Sequence, residues 1–370
     1  MSPTRLLAPS ANGTGIGSAV LFARRVPIEF RVPKDSLRVQ IVPNSFFHLT
    51  ADQACWSSVI AFFIGLGFGP LIAAWANRLC DVPPRRHETL ITTLATGFLF
   101  ALGTFAIVAL EGQRIHEVIP SVVWRNGRLV SHFVLLTLLI TATATDLREY
   151  IIPDWITYPG TLLGVSLATA SGDVQLIHFW VDWNHPLVTV MGPEIPEWIK
   201  LHPHLHGLAW SLAGGASGAG ITWLSRLISS FVLGQEAMGL GDVTLMAMIG
   251  SFLGWQPMVF VFLLAPFCGI FVGLVVKTML NRPYVPYGPY LSAAALVVLF
   301  FWKWIWQWEP TPRVSIRKLF GDIPSLAILA AVSFVLMCVL LGIARWWRGS
   351  GLVTVKFPDQ SPSGDEPPSL

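Results

Sequence analysis

Two aspartates in this chain stand where a carboxylate needs a reason. Asp146 ends the run "LLITATATD", a stretch of apolar and small residues with no earlier charge. Asp242 opens "DVTLMAMIGSFLG", directly after a segment holding Gly239 and Gly241. A carboxylate entering a bilayer is expensive unless it has a partner or a task. Two carboxylates sharing a site cannot both ionise readily, so one of them holds a proton. The ionised member activates water as a general base; the protonated one polarises a carbonyl and later protonates a leaving amine. That is amide hydrolysis by a carboxylate pair titrating as a unit. Taken singly, each aspartate has a plainer explanation. Asp242 is a capping acid favoured by the helix dipole, and Asp146 is an interface acid beside Arg148. The pairing is what turns them toward chemistry.

The elements that must position this pair are membrane helices. Of 370 residues, 53% are hydrophobic and only 12% charged, against about 25% charged in a soluble domain. Sixteen tryptophans and 23 phenylalanines suit rings anchored at membrane interfaces. The fold class is all-α, a polytopic membrane helical bundle with the lipid bilayer as its solvent. A net charge of +3 gives no ground for a nucleic-acid partner. The four cysteines are scattered with no C-x-x-C pair, so neither a disulfide framework nor a thiolate zinc site is indicated. The only apolar run near the start, Ile16 to Ala23, is short and followed by Arg24 and Arg25, so no cleavable signal peptide is read.

Apolar runs of spanning length fall at 56–79, 89–110, 129–145, 208–233, 258–276, 289–306 and 325–344. Shorter ones at 155–170 and 242–256 serve if tilt absorbs the mismatch, giving about nine transmembrane helices. The division expected is an N-terminal extension over 1–54, soluble or weakly ordered, and a membrane core over 55–306 with a polar insert at 171–207. A further transmembrane region at 307–348 and a disordered tail at 349–370 complete it. Counting spans puts 146–154 and 234–241 on the same membrane side, which lets Asp146 and Asp242 meet. Lys and Arg divide almost evenly between the two sides, so the positive-inside rule leaves the orientation open.

Other features carry less. "HPHLH" (His202, His204, His206), with His178 and His185 upstream, invites a metal reading, since alternate residues of an extended segment share a side. No acidic or cysteine partner is fixed by spacing, so no metal site is assigned, and loop histidines of this kind are expected to be solvated. Gly214/Gly218, Gly250/Gly254 and Gly269/Gly273 read as helix-packing faces. "WKWIWQW" (Trp302 to Trp308) reads as an interfacial aromatic belt. Asp154, after Pro153, is expected to cap the following helix, the alternative being that it orients substrate.

Three ordered motifs carry a family resemblance. "TDLREYIIPDWIT" (Thr145 to Thr157) resembles the first signature of the type IV prepilin peptidases, an aspartate followed by a polar turn and Ile-Pro-Asp. "GLGDVTLMAMIGSFLG" is similar to their G-x-G-D block, and "YVPYGPYLSAAA", with Pro286, Gly288 and Pro289, to their I-P-F-G-P-F segment. "GLGFGPLIAAWANRL" is a fainter echo of their first helix. The resemblance covers about 60–300. It implies an intramembrane aspartic endopeptidase with Asp146 and Asp242 as catalytic residues and its active site facing the cytoplasm. It also implies prepilin or pseudopilin precursors as substrates and the bacterial inner membrane as location, in pilus assembly or type II secretion.

The chain departs from the family pattern at two places. "CDVPPRRHE" (80–88) fills the interval where members carry a cysteine-rich zinc domain. The shortened interval argues against the family's second activity, methylation of the new N-terminus with S-adenosylmethionine, so no cofactor is expected. Thr244 stands where the second motif usually has a lysine. The alternatives are a proton- or cation-coupled transporter using the intramembrane aspartates, and an inactive scaffold of the pilus machinery.

Overall fold

The computed structural model describes residues 51–84, 87–115, 117–118, 122–183, 194–234, 236, 238–280, 286–311 and 315–349. The expected extension up to residue 50, the tail from 350 and His185 lie outside the described residues. The helices in chain order are α1 Ala51–Leu79, α2 Glu88–Thr104, α3 Val122–Glu149, α4 Asp154–Ser171, α5 Glu197–Leu201 and α6 Pro203–Leu233. There follow α7 Leu240–Leu253, α8 Trp255–Leu280, α9 Gly288–Trp306, α10 Ile316–Gly321 and α11 Ile323–Gly349. Each of the nine expected apolar runs is therefore a helix; α5 and α10 are short additions. A chain in lipid must satisfy its backbone groups within each segment, and a helix does so. Five of the helices are long and apolar enough to cross a membrane: Cys55–Leu79, Glu88–Ala109, Gly127–Glu149, Trp255–Leu274 and Gly288–Trp306. Leu240–Leu253 and Ile323–Val339 are shorter apolar helices. Among the described residues, five helices meet span length and apolarity and two more are shorter apolar helices, in keeping with an all-α polytopic membrane bundle.

The centre of the bundle is α7. Leu245, Met246, Met248, Ile249 and Leu253 are fully buried, so the helix is covered on every side as an interior helix is. It lies against α6 along a glycine seam: a methyl on Gly214 would strike the Gly250 carbonyl, and one on Gly250 the Gly214 carbonyl. The expected packing role of these glycines is what the structure shows. Gly254 separates α7 from α8 with φ +85°, a left-handed value glycine adopts freely, and Trp210 packs on its open face.

Two irregular turns face each other. α2 ends in a π turn, Phe105–Ala109, and α9 is broken at Phe301, with φ −112°. The loop after the π turn repairs that break. Gln113 Nε2 donates to Leu299 O at 3.0 Å, and the Lys303 N–H donates to Gly112 O at 2.6 Å.

Within the interval 171–207, read from the sequence as a polar insert, the described Val174, Leu176, Ile177, Val181 and Trp183 belong to the buried core. Two buried side chains hold its start. Arg128 donates to the Asp173 and Gln175 carbonyls at 3.2 and 2.6 Å, and Gln256 Nε2 donates to the His178 carbonyl at 2.9 Å. Apolar residues in this stretch lack a helical or strand period, which is why its polar members dominate the sequence reading.

Candidate active site

The site is built from the ends of four helices. Asp146 lies in the last turn of α3 and is 3% exposed. Its Oδ2 accepts the N–H of Gly288 at 3.0 Å. Gly288 opens α9, where the first N–H groups have no partner inside the helix. Pro289, next in line, has no N–H to offer, so Gly288 is the donor. A side chain at 288 would collide with Asp146 Oδ2, so only glycine lets the helix end approach this closely.

Asp242 is the third residue of α7 and is 8% exposed. Its Oδ2 accepts the N–H of Gly239, the N-cap, at 3.3 Å. The capping explanation of this residue is therefore realised, and it leaves the second oxygen for another task. The two aspartates, from α3 and α7, lie close enough for their charges to interact. The helices that carry them also touch.

Ile152 locks the parts together. α3 ends at Tyr150, with φ +60°, and Pro153 starts α4 as an extended N-cap, so 150–153 form a sharp connection. A Cβ on Gly241 would stand 3.1 Å from Ile152 Cβ, and one on Gly288 would stand 3.0 Å from Ile152 Cδ1. This one side chain thus sits between the glycine beside Asp242 and the glycine bonded to Asp146. Sequence reasoning singled out both glycines and missed the isoleucine, although it lies inside the Ile-Pro-Asp motif.

Tyr287 was also missed. It follows Pro286, N-caps α9 and precedes Gly288. It stands where the family segment carries phenylalanine, and that difference was the readable signal. Burial, and then the Asp242 charge nearby, push its phenol up to about 12, so it stays protonated.

Thr244 and Asp154 do less than their motif positions suggest. The Thr244 hydroxyl donates to the Gly241 carbonyl at 3.1 Å within its own helix. Asp154 is exposed, and no side-chain hydrogen bond caps α4 at Pro153. The expected cap is absent because Asp154 is the first helical residue, one place too late. It lies instead at the end of a surface groove of about 500 Å³ with Trp155, Tyr158, Pro159 and Leu162.

Behind Asp146, the turn after α1 is tied to the end of α3. Arg148, its side chain 6% exposed, pairs with Glu88 at 2.8 Å, and Glu149 Oε1 accepts the Val82 N–H at 2.7 Å. Cys80 sits here, its thiol pushed up by burial. It is the only cysteine of this turn, and no cysteine-rich zinc site fits there. Among the described residues, no three of His, Cys, Asp or Glu are grouped as metal ligands would be.

Three of these histidines are engaged, contrary to the solvated reading, while His202 is exposed. His206 Nε2 accepts the Phe179 N–H at 3.0 Å, His178 Nε2 bonds the Glu117 carbonyl at 3.0 Å, and His204 Nδ1 bonds the Thr169 carbonyl at 2.9 Å. Residues 203–233 are helical, so His204 and His206 do not share a side as an extended segment would have them. Burial, and then His178, lower His206 to about 4; burial lowers His178 as well.

Comparison with known proteins places this geometry in context. Residues 133–274 match the model of the type IV leader peptidase family. The matched stretch contains Asp146, Pro153, Asp154, Gly239, Gly241, Asp242 and Thr244, and ends before Pro286. The chain is similar to the prepilin leader peptidase/N-methyltransferase of Pseudomonas putida, 28% identical over 186 residues, covering 49% of this chain and 54% of the relative. Its counterpart of the same name in Pseudomonas aeruginosa is 27% identical over 209 residues, 50% of this chain and 69% of that protein. The one from Stutzerimonas stutzeri is 33% identical over 115 residues, 28% and 38% of the two chains. The chain spans about half the length of the curated relatives it matches. No significantly similar solved structure was found.

Proposed function

Taking the chain as a member of the type IV leader peptidase family over residues 133–274, we propose that it is a prepilin leader peptidase. Its substrates are type IV pilin-like or type II secretion pseudopilin precursors, cut between a basic leader and an apolar helix. One observation carries the reading: two buried aspartates from different helices interact while each is held through one oxygen by a backbone N–H. Those bonds fix the carboxylates without using all their lone pairs.

In the reaction, one aspartate takes a proton from water as the water attacks the scissile carbonyl. The other, protonated, donates to that carbonyl and then to the departing amine. Holding both groups in place before the substrate arrives is where the rate gain lies. The site belongs on the cytoplasmic face of the bacterial inner membrane, where a precursor helix in the bilayer presents its junction. The reading covers the peptidase half of the relatives' name. The transporter and scaffold alternatives gain no support from the family match.

The test is co-expression with a prepilin, following the leader on a gel for wild type, Asp146→Ala and Asp242→Ala. Cleavage by wild type and by neither variant is the expected outcome. Cleavage that persists in either variant removes the two-carboxylate mechanism, and a wild type inactive on every pilin-like precursor removes the function.

A further inference from the structure

The groove on α4 begins where the catalytic connection ends. Ile152 packs between the glycines of the two aspartates, Pro153 caps α4, and Asp154 and Trp155 already line the groove. From Asp154 to Leu162 it runs along two turns of helix, roughly 12 Å at 1.5 Å per residue. Its chemistry changes along that path from a carboxylate, through two aromatic rings, to an aliphatic floor. Trp155, Tyr158 and Leu162 are 77%, 61% and 67% exposed. These residues do not pack into the bundle.

Asp154 is exposed and is the charged residue of the groove, at its head, beside an otherwise apolar lining. A second groove, lined by Phe260, Leu264, Trp304, Ile305, Trp308 and Ile316, carries no charged group.

We propose that the α4 groove is the docking surface for the precursor, receiving its apolar helix along Trp155, Tyr158 and Leu162. Its cationic leader residues then meet Asp154. The occupant must be a helix, because a segment lying there in lipid has to satisfy its own backbone. It carries positive charge at one end, to complement Asp154, the charged residue of the groove. A precursor with a basic leader before an apolar helix meets both conditions and leaves its junction beside Ile152. This inference rests on the peptidase reading and adds the surface that selects the substrate.

The experiment uses the full chain co-expressed with a type IV prepilin and measures cleavage kinetics in membranes. Asp154→Asn is expected to raise KM about twofold to fivefold, the range of one exposed ion pair, with kcat unchanged. Trp155→Ala with Leu162→Ala is expected to raise it about tenfold or more, as truncated interface anchors do. Asp154→Lys should recover when the leader's Lys and Arg are changed to Glu. A photo-crosslinker at position 162, in the inactive Asp242→Asn background, should capture the prepilin. If wild type cleaves while the groove variants keep its KM, the docking inference is overturned and the peptidase reading stands. Crosslinks only to lipid or to a second copy of this chain overturn it equally. If wild type cleaves nothing, both fall.

Discussion

Gly288→Ala is the most searching perturbation of the site, because it moves one carboxylate without removing it. The new methyl would occupy the place of Asp146 Oδ2 and stand 3.0 Å from Ile152 Cδ1 and 3.2 Å from Asp146 Cγ. Ile152 is itself wedged against Gly241, so the isoleucine has little room to yield. The carboxylate must retreat by on the order of 1 Å, a displacement that costs about a hundredfold when it misplaces a reacting group. Retreat also stretches the Gly288 N–H bond to a charged acceptor, worth about 1.5–3 kcal/mol, or roughly 10- to 150-fold. Both routes give a kcat loss on the order of 10²-fold, with KM changed little because the α4 groove is untouched. The assay is prepilin cleavage in detergent or proteoliposomes, alongside Gly220→Ala, a site where a methyl meets nothing within 4 Å. Equal thermal stability and equal membrane levels of the two variants separate catalysis from folding. A Gly288→Ala protein that cleaves at the wild-type rate would refute the role given to this contact.

Thr244→Ala should keep cleavage within about twofold of wild type, since its hydroxyl serves only its own helix turn; a large loss in the gel assay would show that Thr244 reaches the substrate. Gly250→Leu should unfold the bundle or block its accumulation, because the side chain must enter the Gly214 backbone and overpacking costs about 1–3 kcal/mol or more; normal levels and thermal stability would contradict the seam. The pH dependence follows from His206 and His178, whose folded values are depressed, so the unfolded chain binds the proton first. Their contribution is complete above the ordinary histidine value of about 6.5 and is lost as pH falls from there toward about 4. Protonated His206 can no longer accept the Phe179 N–H, so limited proteolysis between 172 and 196 should accelerate at pH 5 relative to pH 7.5. A rate independent of pH would count against this account.

What the sequence disclosed follows physical lines. Long apolar runs are readable because lipid forces each to become a helix, and each of the nine did. Spacing also brought Asp146 and Asp242 to the ends of helices that meet, since that needs only the alternation of spans. Contacts between distant segments were invisible. Gly288 bonds Asp146 across a separation of 142 residues, and no local pattern announces it. The burial of Val174, Leu176 and Ile177 escaped notice because neighbouring polar residues masked them and no period marked them. His206 read as a ligand candidate while "HPHLH" was taken as extended; helix α6 turned it inward to accept one backbone N–H.

The 142-residue separation between Asp146 and its Gly288 donor also sets an order in time. Chains emerge from the ribosome N-terminus first at about 5–20 residues per second, so α9 follows α3 by roughly 7–30 s. Throughout that interval Asp146 lacks the Gly288 N–H, and Asp242 joins it only part-way through. The arrangement in which both aspartates are held by backbone N–H groups therefore exists only once the ninth helix has emerged.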